Sequence, residues 1–371
     1  VVSRLRVASG IDLPLAPSCG SMILCSDTYR TLARQLEVAF FALPTDAEWS
    51  HGFAEIVFCE SGKQPYGQDF PRYVDALTDE VGRHLGRLRP DAIHAQHLGF
   101  GLSLAFSRVR GSIPIVAIAH GTDVIAATHS AQAHSALCEV VAASVTVILP
   151  TEQLRERVNE LTEGQFASRL AVAPWGIPLD RVRARHRPRD GEQLHLLHAG
   201  RLDRNKDTAT AVRSLTMTAR DHDLTIIGDG GELAALHELA TELGVADRVH
   251  HFPFLSREQL WDVFAQYDAF LFTTSELEAF GLVAVEAQAH GLPVVYSDIA
   301  GMADTLGWVG LPFEAGDPRG LAESIDRLVA DGELREELGR RGVTNAQRYD
   351  LHTTAHYWEA VTRRAQRAVH V

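Results

Sequence analysis

Short apolar runs alternate with longer amphipathic stretches along the whole 371-residue chain, in two series separated by a polar break. A strand-length run followed by a helix-length one, repeated many times, restricts the fold to α/β domains. In the first series, strands are expected at Leu5–Ala8, Val38–Leu43, Ala54–Phe58, Ala92–His94, Ile115–Ala119, Val145–Leu149 and Leu170–Ala173. Helices are expected at Met22–Gln35, Pro71–Leu88, Gly101–Arg108, Ser130–Ala142 and Glu152–Leu161. The second series has strands at Leu194–Ala199, Leu224–Ile227, Val249–Phe252, Ala269–Thr273 and Pro293–Tyr296. Its helices are Lys206–Thr218, Gly230–Leu243, Ser256–Gln266, Leu282–His290 and Pro318–Asp331.

The break from Pro178 to Gln193 carries five arginines and two prolines. It reads as a linker or crossover. The expected division is a first Rossmann-like domain over 1–178, a linker over 179–193 and a second domain over 194–348. A tail at 349–371, with Tyr357 and Trp358, is expected to form a helix packing back toward the first domain. The length suits two domains at roughly 150 residues each.

A net charge of -13 argues against a nucleic-acid partner. It argues more weakly against docking by charge on an anionic membrane. No apolar run reaches the roughly 20 residues of a membrane span, so no integral membrane contact is expected. The first residues lack a signal-peptide layout. The four cysteines, Cys19, Cys25, Cys59 and Cys138, lack CxxC spacing. A reduced, cytoplasmic setting is the expectation.

Open parallel sheets bind ligands at the carboxyl ends of their strands. The loops there therefore carry the functional reading. Arg201 and Lys206 lie in GRLDRNKD, after the strand ending at Ala199. Two cations at a strand end can neutralise a diphosphate; the alternative is a solvated loop tied to Asp203 and Asp207. SELEAFGLVAVEAQAHGLPVV is the most informative stretch. Gly281 permits a tight turn into the helix Leu282–His290, whose first N–H groups make an anion seat. Glu286 sits inside that helix among apolar neighbours and needs a partner. A ribose diol is one such partner, and a structural ion pair is the other reading. Glu278, in the preceding loop, can reach a sugar hydroxyl. Phe254 stands in the loop FPFLS near Phe252.

In the first series, Cys19-Gly20-Ser21 follows the first strand, and neither GxGxxG nor a P-loop is present. His120 and Asp123, in HGTD, follow the strand IVAIA. They either orient a reacting sugar, or are a backbone-satisfied histidine and a helix-starting aspartate. His94 and His97 lack a carboxylate cluster that would complete a zinc site. With no DxD triplet, no metal is expected.

Together, HAGRLDRNKD, IIGDGGE, TTSELEAFG with VEAQAHGLPVV, PWGIP and AHGTD resemble the retaining GT-B glycosyltransferases, family 4. Glu278 and Glu286 reproduce that family's E-x7-E spacing. The resemblance implies two Rossmann-like domains facing across a deep cleft, a nucleotide-sugar co-substrate of UDP or GDP type, and no metal or other cofactor. It assigns Arg201 and Lys206 to the diphosphate and Glu286 to the ribose. Glu278, with the backbone of Ala279, Phe280, Gly281 and Leu282, would grip the donor sugar and distal phosphate, with Phe254 a further donor contact. His120 would lie at the anomeric centre and Gly20 over the diphosphate. Here Ser18-Cys19-Gly20-Ser21 replaces the frequent Gly-Gly pair. His97 and Asp123 would face the acceptor.

The expected reaction is retaining transfer to a soluble small-molecule acceptor. Few lysines beside many Ala, Arg and Gly residues suggest a GC-rich source. With it comes a role in secondary metabolism or antibiotic biosynthesis, with aminoglycoside-like acceptors. Alternatives are a GT-B epimerase, a lipid or polysaccharide acceptor, and a nucleotide-sugar-binding protein without activity. A pyridoxal-phosphate phosphorylase is disfavoured, since Lys63 and Lys206 are the chain's only lysines.

Overall fold

The computed structural model describes residues 4–17, 19–46, 48–182 and 193–368. Ser18 and most of the expected linker, residues 183–192, lie outside the described residues. The chain divides into two compact units: residues up to Gly176 with those from Leu351 on, and Ile177–Asp350.

In chain order the first unit contains β1 (Leu5–Pro14), α1 (Gly20–Thr31), β2 (Leu36–Leu43), β3 (Glu55–Phe58), α2 (Phe70–Leu88), β4 (Ala92–Gln96) and α3 (Gly101–Val109). It continues with β5 (Ile115–Ile118), α4 (Thr122–His129), α5 (Ala131–Ala143), β6 (Thr146–Leu149), α6 (Glu152–Leu161) and β7 (Leu170–Val172). The second unit contains β8 (His195–Ala199), α7 (Thr208–Ser214), β9 (Asp223–Ile227), α8 (Leu233–Glu242), β10 (Val249–Phe252), α9 (Arg257–Phe264) and β11 (Ala269–Phe272). Then come α10 (Leu282–Ala289), β12 (Val294–Ser297), α11 (Met302–Thr305), β13 (Leu311–Phe313), α12 (Pro318–Ala330) and α13 (Gly332–Ala346). The last helix, α14 (Leu351–Ala368), belongs to the first unit.

Each unit is one parallel sheet with helices packed on it. The strand orders are β3-β2-β1-β4-β5-β6-β7 and β10-β9-β8-β11-β12-β13 among the described residues. The order reverses beside β1 in one sheet and beside β8 in the other. These are the switch points where loops after neighbouring strands splay apart and leave a crevice. The α/β class read from the alternation is therefore the fold observed, as a pair of Rossmann-like domains.

The core of the first unit joins β1, β2 and β5 to α1 and α14 through Leu5, Val7, Phe40, Ile118, Tyr29 and Trp358. Tyr29 meets Trp358 edge-on, with ring centroids 6.1 Å apart. In the second unit Leu196, Leu224, Leu271, Val295 and Leu321 fill the equivalent space. Burying one such side chain is worth about 1.5–3 kcal/mol, so these clusters dominate the stability of each unit.

Four elements were not anticipated: α4, α11, β13 and α13. Helix α13 hides behind its glycines, which lower intrinsic helix propensity. Packing overrides this, because a Cβ on Gly339 would lie 2.5 Å from the carbonyl oxygen of Gly291. The expected helix from Lys206 begins instead at Thr208. Asp207 takes a left-handed conformation (φ 44°), and a single 3-10 turn, Arg204–Lys206, precedes it. Lys206 consequently sits on a loop.

Candidate functional site

In the second unit, the loops after β8 and β11 are stitched together. Asp203 accepts the N–H of Lys206. Thr273 Oγ1 donates to the Lys206 carbonyl at 2.7 Å, and Thr274 Oγ1 to that of Asn205 at 3.1 Å. The Ser275 N–H also donates to Asn205 O, at 2.9 Å. Adjacency of β8 and β11 thus brings together two charges 72 residues apart: Lys206 Nζ lies 2.5 Å from Glu278 Oε2. Both side chains are largely buried, at 20% and 14% exposure. Burial pushes the Glu278 carboxyl up, but the Lys206 charge and the Phe280 and Gly281 amides outweigh it and hold it below its ordinary value. Glu278 is therefore an anion with its charge compensated, and Lys206 is held at the sheet's carboxyl edge.

Gly281 turns the chain into α10 with φ 75°, and no side chain caps the helix. A Cβ there would also approach Met302 Cε to 2.8 Å. The first amides of α10 remain available to an anion. Leu282 is half-buried, while Ala279 and Phe280 are buried, with Phe280 edge-on to Tyr349 at 4.9 Å. Arg201 is exposed and pairs with Asp203 at 2.9 Å, which was the solvated-loop alternative. The Phe254 ring is exposed, and its N–H donates to Asp229 Oδ2 at 2.8 Å.

Glu286 is buried and paired with Arg257, Nε to Oε1 2.9 Å, an interaction of the structural kind held open above. The sequence analysis did not single out Arg257. It reads locally as the first residue after the Ser256 capping box of α9, and only tertiary packing reveals its partner.

In the first unit, the ends of β4 and β5 and the start of α1 converge. The His97 ring stacks between Phe100 (4.6 Å) and His120 (4.3 Å), and the Trp175 ring lies 5.5 Å from His120. His97 Nε2 is 3.4 Å from Ser21 Oγ, next to exposed Gly20. His120 Nε2 is 2.8 Å from Gln96 Oε1, another residue the sequence did not single out. Burial pushes His120 down to about 3 and His97 well below its ordinary value, so both are neutral near pH 7.

Asp123 corrects an expectation. It was placed toward an acceptor, but it is fully buried and accepts the N–H groups of Leu98, His120 and Val124. A carboxylate committed to three backbone amides shapes the β5–α4 turn and has no face for a ligand. Burial nevertheless raises it to about 6, outweighing those amides. His97 is likewise buried, as is His120.

Among the described residues, no group of three or more His, Cys, Asp or Glu side chains is arranged to hold a metal. No described helix is long and apolar enough to cross a membrane.

Comparison with known proteins covers both units. The family described as Glycosyltransferase Family 4 matches residues 23–181, and Glycosyl transferases group 1 matches residues 182–344. A D-inositol 3-phosphate glycosyltransferase of Nocardia farcinica is 28% identical over 319 residues, spanning 78% of this chain and 70% of that protein. Among solved structures, sucrose-phosphate synthase from Thermosynechococcus elongatus superposes with a TM-score of 0.82 at 18% identity, covering 97% of this chain and 99% of that one. Anabaena HepE in complex with UDP-glucose gives 0.76 at 19% identity, covering 95% and 98%.

Proposed function

We propose that the chain, whose two halves match the Glycosyltransferase Family 4 and Glycosyl transferases group 1 families, moves a sugar from a nucleotide-diphosphate donor to a small soluble acceptor with retention of anomeric configuration. The observation that carries this reading is the Lys206–Glu278 pair at the carboxyl edge of the second sheet, beside the uncapped start of α10. A leaving diphosphate needs fixed positive charge as its own charge develops. Lys206, Arg201 and the first amides of α10 supply it. Glu278, compensated by Lys206, is a poor nucleophile and a good acceptor for sugar hydroxyls, so no covalent enzyme intermediate is invoked. The acceptor attacks the face that the diphosphate leaves, and a diphosphate oxygen takes its proton. His120 serves the sugar being transferred.

UDP is the favoured nucleotide, supported by the UDP-glucose complex of the Anabaena protein. A polyol acceptor is supported by the name of the Nocardia relative. A secondary-metabolite acceptor is the narrower version suggested by composition. We place the reaction in the cytoplasm, the setting expected from four cysteines without CxxC spacing.

Two outcomes test the donor site. Glu286→Gln keeps a hydrogen-bonding partner for Arg257 but removes the charge offered to the ribose. Calorimetry with UDP is expected to show affinity about tenfold weaker, the worth of one charge-assisted hydrogen bond of roughly 1.4 kcal/mol. An unchanged Kd in the folded variant would remove Glu286 from the site. Activity is also expected to persist in excess EDTA, because protein cations replace a divalent ion. Complete loss, restored by Mn²⁺ or Mg²⁺, contradicts that.

A further inference from the structure

A buried line of polar side chains runs through the first unit from the last helix to His120. Thr362 Oγ1 lies 2.6 Å from the Trp358 carbonyl oxygen and 2.7 Å from His94 Nε2. His94 Nδ1 is 2.9 Å from Tyr29 OH. Tyr29 OH is 2.9 Å from Gln96 Nε2, and Gln96 Oε1 is 2.8 Å from His120 Nε2. Ser9 Oγ lies 3.0 Å from the His94 carbonyl and 3.2 Å from Gln96 Nε2. All six side chains belong to buried residues.

The orientation of the Gln96 amide follows from one fixed point. A carbonyl oxygen only accepts, so the single Thr362 proton goes to Trp358 O. Thr362 Oγ1 must then accept from His94, which places the His94 proton on Nε2. Burial holds His94 neutral, lowered to about 3, so Nδ1 is a bare lone pair that can accept from Tyr29 OH. Tyr29 OH also lies 2.9 Å from Ser9 Oγ, and whether its single proton goes to His94 Nδ1 or to Ser9 it is spent, so Tyr29 must accept from Gln96 Nε2. Ser9 has given its proton to the His94 carbonyl and accepts the other Gln96 N–H. The Gln96 amide is thereby oriented with its oxygen toward His120, whose proton is held on Nε2. The remaining ring nitrogen, His120 Nδ1, is buried and has no hydrogen-bond partner among the described residues.

We propose that Gln96 is a positioning residue, and that the line Thr362–His94–Tyr29–Gln96 locks His120 in the Nε2–H tautomer with Nδ1 kept as a hydrogen-bond acceptor for the reacting sugar. The functional half of this rests on the role given to His120 above; the tautomer does not. Helix α14 thereby sets the protonation pattern of a residue at the far end of β5.

The test is ¹⁵N NMR of histidine-labelled full-length protein, with assignment of His120 by its absence in His120→Asn. The wild-type His120 signal is expected to report a protonated Nε2 and a bare Nδ1. In Gln96→Leu the lock is lost, and both tautomers or the Nδ1–H form should appear, with kcat down roughly tenfold and KM little changed. Gln96→Glu retains an oxygen toward Nε2–H and should restore the tautomer and part of kcat. A wild-type His120 protonated on Nδ1 would overturn the proposal, and needs no variant to fold. An unchanged tautomer in Gln96→Leu would overturn it as well. If Gln96→Leu shifts the tautomer while kcat stands, the lock is upheld and the catalytic role of His120 fails.

Discussion

Lys206→Met is expected to lower kcat/KM by about 10²–10³-fold. Truncating one partner of a buried, hydrogen-bonded charge pair costs roughly 3–5 kcal/mol, much of it because the other charge is left alone. Here that charge is Glu278, 14% exposed and held ionised against its own burial by Lys206. Without the ammonium, Glu278 either takes up a proton or repels the donor diphosphate, and the leaving group loses its main point charge. Both effects fall on the transition state more than on folding. Lys206→Arg should retain part of the activity, although a planar fork does not reproduce a point charge at 2.5 Å. Steady-state kinetics on the three proteins checks this. A Lys206→Met enzyme within threefold of wild type would show that the diphosphate is held elsewhere.

Acidification from pH 6.5 to 5.5 is expected to destabilise the first unit by about 2 kcal/mol. His94, His97 and His120 are all neutral in the folded unit, with folded values lowered by burial, to about 3 for His94 and His120. In the unfolded chain each titrates near 6.5, so the unfolded state binds about three more protons below that pH. Stability present above the unfolded value is therefore lost as pH falls. Asp123 acts in the opposite sense. Its folded value is raised to about 6, so between that pH and its unfolded value near 3.9 the folded state holds one extra proton. Across this interval the unfolded histidines average about three-quarters protonated and folded Asp123 about half, so the net difference is roughly 1.7 protons, each contributing about 1.36 kcal/mol per pH unit. For a domain of about 200 residues this corresponds to a melting temperature lower by roughly 5–10 °C. Differential scanning calorimetry at the two pH values measures it. A flat or rising transition temperature would mean that the histidines are charged in the fold.

The α/β class was legible because its signal is repeated many times, so local errors did not alter it. Helix α4 was hidden by its place directly behind HGTD, which reads as a loop after a strand. Helix α13 was hidden by its glycines, of which Gly339 is set against Gly291 and Gly342 against Gln288. The site was legible as separate residues at strand ends. Their partners were not. Lys206 meets Glu278 because β8 neighbours β11, and nothing local in either loop encodes that adjacency. Arg257 looks like any exposed helix-start arginine until α9 packs beside α10. Gln96 lies in HAQHLG, where the histidines draw attention. Its importance comes from the β1–β4 register that sets Ser9 opposite His94, and from a helix more than 250 residues later.

Transfer of the sugar is expected to take place on the face that the nucleotide diphosphate leaves. The most direct measurement is to incubate the protein with α-linked nucleotide sugars and small polyol acceptors, and to read the anomeric ¹H coupling constant of any new glycoside by NMR. The account predicts an α-linked product from an α-linked donor, formed with EDTA present. A β-linked product would contradict it, because inversion needs a base on the face opposite the leaving group, and neither the paired Glu278 nor the buried Asp123 is placed to be one.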